Sequence, residues 1–171
     1  MRRIIAALIF GAFCLAQPAL AASRPTEPQA IVADVYARLI LEQEKPPEML
    51  DSYNPPGDLY TPALAKAFAD EKRDAAGDLG RLDFFFWVNG QDWQLADLEI
   101  SERSVWRRPD RRVVAVGFSN FGQENSLLFY FQKVGGRWLI DDVESLDVVE
   151  GDEGYAWTLS LILKYAREED G

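Results

Sequence analysis

The stretch from Arg111 to Leu146 constrains the fold more than any other part of the chain. It predicts three successive strands, Arg112 to Phe121, Leu127 to Val134 and Arg137 to Val143. Only Gly135-Gly136 separates the last two, and a two-residue type I′ turn needs positive φ at both positions, which glycine adopts without steric cost. Val113-Val114-Ala115-Val116 and Leu127-Leu128-Phe129-Tyr130-Phe131 are apolar at odd and even positions alike. A strand with one face in water alternates polar and apolar residues, so helices must cover one side of this sheet and something else the other.

The flanking segments supply the cover. Ser23 to Pro28 is a polar lead-in. Ile31, Val32, Val35, Tyr36, Leu39 and Ile40 then recur at helical spacing, and Pro46-Pro47 ends that helix. A Pro-rich loop through Pro55-Pro56-Gly57 follows, and Thr61-Pro62 has the residue types of an N-cap and first helical position for a second helix through Leu64, Ala67 and Phe68. Asp70 to Arg81, charged and Gly-containing, reads as a connection. Leu82 to Trp93 is aromatic, with Phe84-Phe85-Phe86-Trp87 leading into the turn signal Asn89-Gly90 and then Gln91-Asp92-Trp93. Asp97 to Trp106 reads as another strand, with Pro109-Asp110 as the hairpin tip leading into Val113. Trp157, Leu161, Ile162, Tyr165 and Ala166 predict a final helix, with Asp152 and Glu153 at its positive N-terminal end. Helices first and antiparallel strands afterwards give an α+β fold: a curved sheet packed on N-terminal helices, with a short C-terminal helix.

Met1 to Ala21 has the layout of a cleaved secretory signal: Arg2-Arg3, the apolar run Ile4 to Leu15, and Ala19-Leu20-Ala21. The run is too short to span a bilayer, and Phe13 before Cys14 argues for cleavage rather than lipid anchoring. Residues 22–171 are then expected to form one domain in the periplasm, with no membrane anchor. Cys14 is the only cysteine in the chain, so the mature domain has no disulfide and relies on its core. The chain carries a formal net charge of −10, and loss of Arg2 and Arg3 makes it about −12. That disfavours nucleic acid and anionic membrane surfaces. The chain has no histidine, which excludes Ser-His-Asp and Cys-His catalysis and removes the commonest zinc ligand. No metal and no cofactor are expected. Asp147, Glu150, Asp152 and Glu153 do not match the spacing of a calcium loop and read as a solvated loop.

Leu82-Asp83, Asn89-Gly90-Gln91-Asp92-Trp93 and Gly136-Arg137-Trp138-Leu139-Ile140-Asp141-Asp142-Val143 resemble the exported bacterial domain of unknown function 3828 family, within the nuclear transport factor 2-like superfamily. The resemblance covers most of the mature chain and implies a cone, a strongly curved antiparallel sheet wrapped around helices with a pocket between them. Superfamily members include ketosteroid isomerase, dehydratases, epoxide hydrolases and non-catalytic binding modules. The family often has Asp-Pro where this chain has Phe85-Phe86, so a carboxylate that would line the pocket is missing.

Three groups of residues are candidates for function. Phe84, Phe86, Trp87, Asp92, Trp93 and Trp138 could line a pocket for a small apolar ligand, although four adjacent rings at 84–87 also suit a buried seam. Among Asp92, Asp97, Asp141 and Asp142, the adjacent pair matters most. Strict alternation puts Trp138, Ile140 and Asp142 on one face and Leu139, Asp141 and Val143 on the other, so one aspartate shares a face with an apolar row. Such a carboxylate could serve as a proton-transfer base with Tyr130 as donor, or could simply be bonded near a strand end. Arg103, Arg107, Arg108, Arg111 and Arg112 surround Trp106 at a hairpin tip. They could grip a carboxylate- or phosphate-bearing partner or protect a sheet edge. The expected function is an exported, non-catalytic module binding a small ligand or a periplasmic protein, with a second copy of itself as a further candidate partner. An inhibitor of a basic exported hydrolase is one version of that reading. The alternative is a cofactor-free isomerase or hydrolase using Asp141 or Asp142.

Overall fold

The computed structural model describes residues 24–45, 53–146 and 156–164. Helix α1 (Pro28–Gln43) and helix α2 (Pro62–Ala75) precede five strands, β1 (Leu95–Val105), β2 (Arg108–Asn120), β3 (Gln123–Val134), β4 (Arg137–Ser145) and β5 (Trp157–Thr158), and α3 (Leu159–Ile162) follows. The strands form one antiparallel sheet in the order β1-β2-β3-β4-β5. The expected signal at 1–21, the acidic residues Asp147, Glu150, Asp152 and Glu153, and Tyr165 and Ala166 lie outside the described residues.

Strands β1 to β4 form a meander because each link between them is a two-residue turn: Trp106-Arg107, Phe121-Gly122 and Gly135-Gly136. Gly135 and Gly136 have φ of 57° and 83°, the left-handed pair that the β3–β4 turn requires. Residue alternation then sorts β2 and β3. Val114, Val116, Leu127, Phe129 and Phe131 enter the main core, while Val113 and Leu128 are buried on the other face. Both faces are therefore covered at the centre of the sheet. Burying a ring such as that of Phe129 stabilises the fold by about 3 kcal/mol relative to leaving it in water.

Helix α1 lays Ile31, Val32, Val35, Tyr36 and Leu39 on the core face. Its two ends are tied to β1, the edge strand. The Gln29 N–H donates to Glu102 Oε2 at 3.0 Å and its side-chain amide to the Ile100 carbonyl at 3.1 Å. The Gln43 amide both donates to and accepts from the backbone of Leu95. The bonds to Ile100 and Leu95 occupy backbone groups of an edge strand that would otherwise invite another chain. Helix α2 starts at Thr61, whose hydroxyl accepts from the Leu64 N–H at 3.3 Å, with Pro62 in the first turn.

Four expectations need correction. Asp70 to Ala75 belongs to α2 rather than to a connection, because Lys66–Asp70 and Arg73–Asp70 pairs at helical spacing support it. The β1–β2 turn falls at Trp106-Arg107 and not at Pro109-Asp110. Val105 pairs with Arg108 while Ser104 pairs with Arg112, and Pro109, which has no N–H to donate, lies in the intervening bulge. The expected terminal helix is a two-residue strand followed by one helical turn, with Leu161 75% exposed. The fourth correction concerns β4. Tyr130 pairs with Asp142 and Phe131 with Ile140, which leaves Asp141 as an extra, bulged residue. Trp138, Ile140 and Val143 therefore share the core face, and neither aspartate stands in their row.

Candidate functional site

The aromatic segment packs into the molecule as a plug. Trp87 is fully buried, 4.6 Å between ring centroids from Phe129 and edge-on to Tyr36. The Tyr36 hydroxyl donates to the Trp87 carbonyl at 2.6 Å. Phe86 stacks on Phe68, and Phe84 meets the edge of Trp157. Trp93 donates its indole N–H to the Leu39 carbonyl, and Asp92 is exposed. Asn120, at the end of β2, holds this irregular backbone. Its amide N–H groups donate to the carbonyls of Val88 and Asp92, and its oxygen accepts from the Gln94 N–H. Of the residues proposed for an apolar pocket, Trp138 alone lines the groove described below.

The adjacent aspartates perform different anchoring tasks. Asp141 accepts from Arg111 at 2.9 Å and from the Thr61 hydroxyl at 3.2 Å, so it joins β2, β4 and the start of α2. Asp142 is wholly buried. It accepts from the N–H groups of Val143 and Ser160 and, at 2.7 Å, from the Ser160 hydroxyl. Tyr130 donates to Glu144 at 2.5 Å. Among the described residues, the carboxylate that the Tyr130 hydroxyl meets is therefore that of Glu144 and not that of Asp141 or Asp142.

The arginine group divides. Arg111 faces Asp141, and Arg112 lies 5.0 Å over the Trp138 ring and pairs with Glu102. Arg108 pairs with Asp110 at 3.5 Å. Arg103 and Arg107 remain at the tip, with no carboxylate within 4.0 Å among the described residues, whereas every other described arginine has one. Between them Trp106 is 83% exposed, and Arg107 sits 5.7 Å from its ring centroid. Arg107 also adopts φ of 57°, an uncommon conformation for a non-glycine residue.

A groove of about 420 Å³ opens at the same end of the sheet, between the start of α1, residues 53–59 and the β3–β4 hairpin. Its residues come from three separate segments, so no local motif in the sequence signals it.

No model of a known protein family matches the chain, and no curated protein matches it. Among solved structures, the type VI native effector-immunity complex Tae3-Tai3 from Ralstonia pickettii contains a similar chain at 16% identity and a TM-score of 0.48, covering 73% of this chain and 99% of that one. At that identity and score the likeness assigns no role to any residue here.

Proposed function

We propose that the chain is an exported, non-catalytic binding module that grips a carboxylate-bearing protein partner with the β1–β2 hairpin tip. The observation that carries this reading is a solvent-exposed Trp106 with Arg107 beside its ring and Arg103 three positions earlier on β1, these being the two described arginines lacking a carboxylate. Tryptophan and arginine dominate interface hot spots, because one buries a large area and the other forms bidentate bonds to carboxylates. The order of helices and antiparallel strands, with bulges that bend β1 and β4, supports a nuclear transport factor 2-like cone. Export to the periplasm rests on the layout of residues 1–21. The alternative of a cofactor-free isomerase or hydrolase is weakened by the bonds that occupy Asp141 and Asp142.

The test is retention of envelope proteins on the immobilised chain, compared with Trp106→Ala and with Arg103→Glu/Arg107→Glu. A partner held by the native chain should bind each variant about thirtyfold more weakly, with the arginine contribution fading in salt. A partner retained equally by all three chains would remove the hairpin tip from the interface.

A further inference from the structure

The groove beside the β3–β4 hairpin combines an apolar floor with an unbalanced charged rim. Ile31, Val35, Leu59 and Trp138 supply the floor. Two ion-pair sets stand on the rim. Arg38 pairs with Asp34 at 2.9 Å, which is neutral. Asp58 receives both Arg24 at 3.1 Å and Arg137 at 3.6 Å, which leaves one positive charge over. Lys133 adds another: its ammonium lies 5.2 Å from the Trp138 ring centroid, with no carboxylate within 4.0 Å among the described residues. Glu27 is the remaining acid on the rim. Four cations thus face three carboxylates, in a protein whose overall charge is −10. Tyr53 also lines the groove, and its hydroxyl makes no hydrogen bond among the described residues. Burial raises its pKa, so the phenol is a proton donor at neutral pH.

We infer that this groove binds a small organic monocarboxylate with an apolar body, held by Lys133 and the Tyr53 hydroxyl above a floor of Ile31, Val35 and Trp138. A volume near 420 Å³ suits a small molecule. The single excess positive charge matches a monoanion, whereas a dianion would leave one charge uncompensated. Lys133 provides the charge without having to break an existing ion pair. The site is separate from the Trp106 tip, so each can fail without the other.

Phenylacetate is a suitable probe, with phenylacetamide as its uncharged counterpart of similar shape. Binding would be followed on the full chain by the indole N–H resonance of Trp138, assigned through Trp138→Phe. Phenylacetate should shift that resonance with millimolar affinity, and phenylacetamide should not. Lys133→Gln should weaken phenylacetate about fivefold and Tyr53→Phe about threefold, while Trp106→Ala leaves it unchanged. Lys133 is exposed, so its replacement leaves the fold intact, which an unchanged melting temperature would verify. Equal shifts with the amide, full binding by Lys133→Gln, or no shift in the millimolar range would each overturn the inference.

Discussion

Asp142 is fully buried and, among the described residues, accepts hydrogen bonds from the Val143 N–H and from both the N–H and the hydroxyl of Ser160. Its carboxylate therefore fastens α3 to β4. Replacing it leaves buried donors on Val143 and Ser160 without acceptors, at a cost of roughly 1–3 kcal/mol for each unsatisfied group. Asp142→Ala should destabilise the fold by about 3 kcal/mol in urea unfolding. A change below about 0.5 kcal/mol would mean that these bonds contribute little and would reopen a catalytic role for the residue. The sequence shows two adjacent aspartates but not their division of labour. Strict alternation puts one of them with Trp138 and Ile140, and the extra residue at Asp141 cancels that register. A bulge of this kind has no signature in the residues themselves, because Asp141 is selected by its partners Arg111 and Thr61, distant by 30 and 80 positions.

Among the elements, the aromatic segment depends on one side chain outside it. Asn120 satisfies two carbonyls and one N–H of residues 88–94, backbone groups that no regular structure accommodates. Asn120→Ala should cost about 2–3 kcal/mol and speed amide exchange at Gln94 ahead of the sheet. Unaltered exchange at Gln94 would show that ring packing alone holds the segment. The hairpins differ in how far they can be read from sequence. Gly135-Gly136 states its own turn because its φ values demand glycine. Trp106-Arg107 carries no turn signal, and Pro109-Asp110, which does, is absorbed by a bulge.

For the molecule as a whole, the buried phenols govern the alkaline limit of stability. Burial pushes the pKa of Tyr60 from 10.0 up to about 12, and that of Tyr36 well above its ordinary value. The native protein keeps these protons while the unfolded chain releases them. Their contribution is therefore complete below pH 10.0 and is lost as the pH rises through about 12. Urea midpoints should fall between about pH 9 and about pH 11, and Tyr60→Phe should reduce that slope. A slope unchanged by Tyr60→Phe would assign the alkaline loss to Tyr36 or to general charge repulsion.

The amino-acid order alone determined the α+β class, the α1 stripe, the cap at Thr61 and the β3–β4 hairpin, because each depends on local periodicity, capping or turn geometry. Tertiary structure decided the rest. It routed Phe86 and Trp87 into the core, consumed Arg111 in the interior and left Arg103 and Arg107 without carboxylates. It also assembled a groove from three distant segments. These outcomes depend on which side chains meet across long separations, and only the folded sheet with its bulges brings those side chains together.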